Sequence, residues 1–460
     1  MKKLMSALII MTFLASCTSG TNLPQASATP DAQKPEMTDF TLSFPALNSN
    51  ISVQGYTVDA RSFCGGELRF FTETEQPNVN LHINHYEPEK FEQQLQVAFM
   101  SGDSYSVIGD MFFSVKPNIT HAARGYLADI YPLIDNDATA KREDYYTSVL
   151  QSLEYNDGLY YFVTDFSAKT AAINKSLPES TISAFEKLDR ISYLEMMQLY
   201  EQTGNNQELD PAKSFWPVTD IKNELTCFIN YEAKTCSFDS EKFINLLTKY
   251  KEIGMLEAEK KQDVAWDGAF NTEYGIYDLD LSRQYAFRVL HFSDVQYMLP
   301  YATNNFTGVI PLTDCNENII INSLWYFYSI NADSKNKELA WEYLEASASE
   351  KVRGHSAIGS INIAARHATW LSELNYFFEF VQKKNSAIPE GKNSEHVESI
   401  QVLFDKTVEL PATPGSALVQ YDTILMGIFD NEFESYMLGL QTAEQAAAKI
   451  QNKVSLYLIE

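Results

Sequence analysis

Positive charge is scarce in this chain: 35 Lys and Arg stand against 61 Asp and Glu in 460 residues, a formal net charge of −26. Phosphate backbones and anionic lipid surfaces call for concentrated cations, so nucleic acid and direct membrane-surface binding are excluded, and polyanionic ligands are disfavoured. Neutral or cationic solutes suit this balance. Cysteine is also sparse, with five in all (Cys17, Cys64, Cys227, Cys236 and Cys315), and no pair has zinc-ligand spacing. Beyond the N-terminus there is no second long apolar run to read as a membrane span. The Walker loop, the dinucleotide glycine fingerprint and the zincin helix are all missing.

Near misses to catalytic or metal motifs fail on specific positions. Gly354-His-Ser-Ala-Ile-Gly359 has Ile358 where a nucleophile elbow needs glycine, and a helical pattern precedes it instead of a strand. Asp135-Asn-Asp-Ala-Thr139 opens like a calcium loop, but Ala140 and Tyr146 occupy the positions that need glycine and a bidentate glutamate. His82 and His85 lie three apart in an alternating stretch, so they face opposite ways and cannot share a metal. Asp278 and Asp280 sit in a charge-rich context and read as solvated. No catalytic residue, no metal site and no cofactor is expected.

What is present begins at the N-terminus. Lys2-Lys3 precede an apolar run from Leu4 to Leu14, and Leu14-Ala15-Ser16-Cys17 closes it. The run is well short of the roughly 20 residues needed to span hydrocarbon, so it reads as a secretion signal. Small residues before a cysteine at this place resemble the bacterial lipobox. The resemblance implies cleavage between Ser16 and Cys17, acylation of the Cys17 thiol, and anchoring through lipid alone at the extracellular face of the membrane. Thr18 is not the aspartate that retains such lipoproteins at an inner membrane, which favours a Gram-positive type of cell. Residues 17–37 hold small and polar residues with three prolines, too little apolar mass to offset their ordering entropy. They read as a flexible tether reaching roughly 25 Å.

The body is rich enough in apolar residues, 45% of the chain, to form more than one core. Ile51–Val58 reads as a strand, and a helix over Glu67–Gln76 is stopped by Pro77. Val79, Leu81 and Ile83 alternate with polar residues as in a strand. Pro88 opens a helix with Phe91, Leu95, Ala98 and Phe99 on one face and Gly102 at its end. A short strand is expected at Tyr105–Ile108. Alternating strands and helices argue for an α/β fold with a largely parallel sheet.

The order of these pieces, with Pro77-Asn78 between helix and strand, resembles the carbohydrate-type (family 1-like) extracellular solute-binding proteins of ABC importers. Ala123-Arg-Gly-Tyr-Leu-Ala-Asp-Ile-Tyr-Pro-Leu-Ile-Asp135 is similar to that family's G-x-L-x-D-L-x-P-L-I-D stretch. Asp157-Gly-Leu-Tyr-Tyr-Phe-Val163 is similar to its D-G-K-x-Y-x-x-P turn, with Val163 in place of proline. Ser334-Lys-Asn-Lys-Glu-Leu-Ala-Trp-Glu-Tyr-Leu344 matches a helix start whose N-cap would be Ser334 and whose buried face would be Ala340, Trp341 and Leu344. Thr442-Ala-Glu-Gln445 reads as a capping box opening a last helix through Ile450 and Val454.

The resemblance implies a two-lobe periplasmic-binding-protein-like fold, with ligand held in a cleft between lobes joined by crossing strands. Residues 38–164 and 310–350 would form the N-terminal lobe, and 165–309 and 351–460 the C-terminal lobe. It also implies a monomeric receptor that delivers a small-molecule solute, a sugar of the oligosaccharide kind, to ABC permease subunits by closing on it. A peptide receptor, a lipoprotein sensor and an enzyme acting on cell-wall polysaccharide are the alternatives. Ligand contacts are expected from Asp110 and Phe112, from Asp165 and Phe166 at the first crossing, from His291 and Phe292, and from Trp325 and Tyr421. In an oxidising compartment Cys227 and Cys236 are near enough in sequence to bridge, with Cys64–Cys315 as a weaker pairing.

Overall fold

Phe40 and Leu42 point into a core while Asp39 before them is exposed and Thr41 between them is half-buried, and this alternation makes Thr38–Pro45 a strand of the first sheet. In the computed structural model of the chain, the described residues are 37–45, 50–53, 56–59, 71–114, 117–202, 221–259, 270–271, 276–277, 286–291, 306–322, 327–350, 363–384, 393–411, 415 and 422–459. The signal, Cys17 and the tether lie outside them, as do Cys64, Asp278, Asp280 and the 354–359 stretch.

The principal strands are β1 (Thr38–Pro45), β2 (Val79–Tyr86), β3 (Met111–Ser114), β4 (Asp165–Asn174), β5 (Phe287–His291), β6 (Phe306–Thr313) and β7 (Phe327–Ile330). In the first sheet β1 lies between β2 and β3 and runs parallel to both, with β7 antiparallel at the outer side of β3. Parallel neighbours need a crossover. The helix Pro88–Ser101 lies in the crossover from β2 past β1 to β3, opened by proline and closed by Gly102 at φ 69°, and it buries the expected Phe91, Leu95, Ala98 and Phe99.

Three local expectations are corrected. Thr38–Pro45 is a strand the sequence reading passed over, having placed its first strand at Ile51–Val58. That later stretch is a hairpin of Asn50–Val53 against Tyr56–Asp59. Ser104–Ile108 is a helix, and the strand follows it at β3. Gly109 makes this change of direction possible. It sits at φ +75°, and a Cβ there would lie 2.4 Å from Thr41 Cβ, so only glycine fits the corner.

The helix Lys337–Ala348 buries Ala340, Trp341 and Leu344 as its pattern requires. Its N-cap is Asn336, and Ser334 Oγ accepts from Asn336 N at 3.0 Å, two residues before the helix. Trp341 Nε1 donates to Asp137 Oδ2 at 2.6 Å, and Asp137 Oδ1 accepts from Ala140 N and Thr139 N, so the acidic loop is a braced turn. Asp129 works similarly in the Ala123–Asp135 stretch: its Oδ1 accepts from Tyr131 N and Leu159 N, both at 3.0 Å.

The second sheet runs β5-β4-β6 with antiparallel pairings. After its first residue β4 is buried at every position, and Ala168, Ala171 and Ala172 leave room for close packing on either face. Ala171 and Ile173 of β4 belong to a second core, filled from the helices Glu241–Glu259, Thr423–Met437 and Ala443–Ile459, while Phe166, Ala168 and Ala172 belong to the first. The last helix opens as expected, with Thr442 N donating to Gln445 Oε1 at 3.0 Å and Gln445 N donating to Thr442 Oγ1 at 3.2 Å. The helices His367–Lys384 and Asn393–Val408 carry Trp370, Leu374 and Phe404 into the first core, where Phe404 packs edge-on against Tyr146.

Candidate functional site

The two sheets are joined where β4 begins. Phe162 pairs with Tyr328 of β7 through two backbone hydrogen bonds of 2.9 and 2.8 Å, which ties residue 162 to the first sheet. Three residues later the chain enters β4, where Asp165 pairs with Ala364, Phe166 with Ile363, Ser167 with Asn322 and Ala168 with Ile321. From Lys169 onward β4 pairs with β5, starting opposite His291. Residues 162–168, 321–322 with 327–328, and 363–364 are thus the described stretches that meet at the head of β4, where one sheet gives way to the other.

Asp165, half-buried, stands at the head of β4 in this junction. His291 is placed by its backbone opposite Lys169. The His291 side chain, and Phe292, Trp325 and Tyr421 entirely, lie outside the described residues. Trp325 and Tyr421 fall beside described landmarks: Trp325 between Asn322 and β7, and Tyr421 next to Asp422.

Three expected ligand residues are instead committed to the cores, and this is a correction. Phe166 is fully buried between Tyr146 and Phe404, at ring separations of 5.6 and 6.0 Å. Phe112 is buried against Phe91 and Phe99. Asp110 is fully buried and holds a corner together. Its Oδ2 accepts from Thr41 N at 2.9 Å, and its Oδ1 accepts from Ser334 Oγ at 2.7 Å and Asn336 Nδ2 at 3.0 Å. Asn331 adds a donor to Gly109 O at 2.9 Å. One carboxyl group therefore fastens β1, the Gly109 corner and the turn that leads into the helix Lys337–Ala348. The strand expected at 105–108 caused the misplacement, because it put Asp110 after a strand end instead of inside a corner.

Two polar groupings were missed by the sequence reading. Asp422 caps the helix Thr423–Met437, its Oδ1 accepting from Ile424 N and Leu425 N, while its Oδ2 accepts from Tyr231 Oη and, at 2.8 Å, from Tyr457 Oη. Burial pushes the Tyr231 and Tyr457 hydroxyls up, and the nearby carboxylate adds to it. The capping signal, an aspartate before an apolar helix, is readable in sequence; its tyrosine partners are not. Lys169 is buried in β4 with Nζ 3.2 Å from Tyr193 Oη.

The cysteine expectation is also corrected. Cys227 and Cys236 are free. The hairpin of Ile229–Asn230 with Thr235–Cys236 pairs Cys236 with Ile229, which leaves Cys227 beyond the paired positions in the preceding turn Leu225–Phe228. Cys236 Sγ lies 3.3 Å from Ser455 Oγ. Cys227 lies instead with Cys315 and the buried Glu224, and burial pushes the Glu224 carboxyl well above its usual range.

Two α/β halves, each with its own core and meeting at the head of β4, have the two-lobe fold seen in the ABC-importer solute-binding proteins. No protein-family model and no curated protein sequence matches the chain, and the likeness is found among solved structures. The sugar-binding protein MalE of Xanthomonas citri superposes with a TM-score of 0.58 at 16% identity, covering 91% of this chain and 97% of its own. An extracellular solute-binding protein family 1 structure from Alicyclobacillus acidocaldarius gives 0.57 at 13% identity, covering 93% and 100%. The ABC substrate-binding protein Lmo0181 of Listeria monocytogenes, solved in complex with cycloalternan, gives 0.54 at 12% identity, covering 92% and 99%. At these identities the likeness shows the fold. Among the described residues no helix is long and apolar enough to cross a membrane.

Proposed function

We propose that this chain is a lipid-anchored receptor on the outer face of the cell membrane that captures a carbohydrate and delivers it to an ABC permease. The observation carrying this reading is the fold itself, two cores meeting at the head of β4, shared over nine-tenths of the chain with the sugar-binding protein MalE and with a substrate-binding protein solved with cycloalternan. A net charge of −26 agrees with an uncharged ligand. The lobes of the sequence reading, 38–164 with 310–350 and 165–309 with 351–460, are kept except that the helices His367–Lys384 and Asn393–Val408 go with the first core and β6 with the second sheet. Ligand bridges them, shifts an existing equilibrium toward the closed form, and leaves with its bonds intact. Asp165, His291, Phe292, Trp325 and Tyr421 are the residues proposed to meet it. Asp110, Phe112 and Phe166 are not, since the fold already employs them. The receptor acts as a monomer tethered through Cys17, by the lipobox resemblance.

Titration calorimetry of the mature chain against malto-, cello-, manno- and xylo-oligosaccharides and a set of short peptides tests this reading. Saturable binding of a saccharide that is recovered unchanged is the expected result. Binding confined to peptides would replace the carbohydrate assignment, and cleavage of a saccharide would replace the receptor with an enzyme.

A further inference from the structure

Glu224 and Cys227 are three residues apart across a 3₁₀ turn, Leu225–Phe228, and this geometry stacks positions i and i+3 on one face. Cys227 N donates to Glu224 O at 3.1 Å and closes that turn. A second turn, residues 314–318, follows β6 and brings Cys315 to the same face. Asp314 braces it: Oδ1 accepts from Asn316 N and Asn318 N, both at 2.9 Å, and Oδ2 accepts from Asn318 Nδ2 at 3.0 Å. Thr226 Oγ1 donates to the same Asp314 Oδ2 at 2.8 Å and locks the two turns together. The result is a carboxylate oxygen and two sulfurs all within 4.8 Å of one another.

The carboxyl group is the telling member. Glu224 is fully buried, its Oε2 accepts from Cys315 N at 2.6 Å, and its Oε1 is buried with no hydrogen-bond partner. A buried carboxylate oxygen without a partner is costly unless a cation or donor meets it. A disulfide between Cys227 and Cys315 would leave that oxygen as it is. A metal ion held by this carboxyl group, whose Oε2 lies 3.9 Å from Cys227 Sγ, and by both sulfurs would bring the missing positive charge to it.

We propose that Glu224, Cys227 and Cys315 form a binding site for a thiophilic divalent cation of the zinc type. Two sulfurs and one carboxylate oxygen are a borderline-soft donor set that suits zinc, and three protein ligands leave a fourth position for water. Zinc–sulfur bonds of about 2.3 Å in a tetrahedron hold the sulfurs roughly 3.7 Å apart, inside the 4.8 Å within which the three ligand atoms already lie. Binding releases to solvent the protons held by the two thiols and by the carboxyl group, and no electron transfer is involved. Lys242 Nζ, 2.9 Å from Cys315 O, offsets part of the remaining negative charge. The ion would clamp two turns of the second core, so its role is structural and separate from the ligand junction. Sequence spacing could not show it, because Cys315 arrives from a distant segment.

The test uses the mature chain, reduced, stripped with chelator and titrated with Co²⁺ and then Zn²⁺. One Co²⁺ per chain with thiolate charge-transfer absorption, displaced by Zn²⁺, is expected, along with a higher melting temperature in Zn²⁺. Cys227→Ser, Cys315→Ser and Glu224→Gln should each weaken binding at least about tenfold. Because a variant could fail to fold, alkylation of the unmodified protein provides a second measurement. Zn²⁺ should protect Cys227 and Cys315 but leave Cys236 reactive. Absence of metal binding, binding unchanged in the variants, or protein isolated two hydrogens lighter with Cys227 joined to Cys315 would each overturn the proposal.

Discussion

Asp110→Ala separates a corner from a ligand contact. The wild-type carboxyl group is fully buried and accepts three hydrogen bonds, from Thr41 N, Ser334 Oγ and Asn336 Nδ2. Bonds to a carboxylate contribute roughly 1.5–3 kcal/mol each, and truncation leaves their donors short of partners. Part of this is offset because the carboxyl group no longer has to be held out of water. The net loss should be about 3 kcal/mol for Asp110→Ala, and about 2 kcal/mol for Asp110→Asn, whose amide retains one acceptor. Urea unfolding of the unliganded protein, followed by far-ultraviolet circular dichroism, measures both. A cycle with Ser334→Ala should show a coupling of at least about 0.5 kcal/mol, since the two side chains share a bond. An unfolding midpoint unchanged in Asp110→Ala, with saccharide affinity reduced tenfold, would refute the reasoning and return Asp110 to the binding surface.

His121 is buried beside Phe99, and burial, aided by the Arg124 cation, holds it down at about 4 from an ordinary 6.5. The unfolded chain therefore takes a proton that the folded chain refuses. Stability present above pH 6.5 should fall by about 3 kcal/mol as pH drops toward 4 and level off below, and His121→Gln should remove that part of the slope in denaturant titrations across this range. Trp325→Ala should weaken saccharide binding at least tenfold, about 1.4 kcal/mol, with the apo melting temperature nearly unchanged. A loss of several kcal/mol in the apo protein would make Trp325 a core residue. Cys17→Ala should shift the protein from the membrane fraction to the medium or leave it as uncleaved precursor, and unchanged retention with normal cleavage would contradict acylation.

Much of the architecture was legible because it rests on local rules. Pro88 and Gly102 bracket a helix, Thr442 and Gln445 cap one, and the alternation of Val79, Leu81 and Ile83 makes a strand, each readable from neighbours in sequence. The corner at Gly109 was not legible. Ser104–Ile108 carries the apolar content of a short strand, and what decides for helix is Thr41 pressing on Gly109 from a strand far away in the chain. The same holds for burial. Phe166 and Phe112 look like any aromatics near strand ends until Phe404 or Phe99 closes over them. Cys227 gave the same lesson: nearness to Cys236 in sequence counted for less than the fold that brings Cys315 to it.

The central claim is a receptor that closes on a saccharide, and small-angle scattering of the mature chain with and without the saccharide found by calorimetry tests it most directly. Ligand contacts on both lobes exist together only in the closed form, so the account predicts a smaller radius of gyration at saturation. A radius unchanged when every site is filled would contradict closure on the ligand.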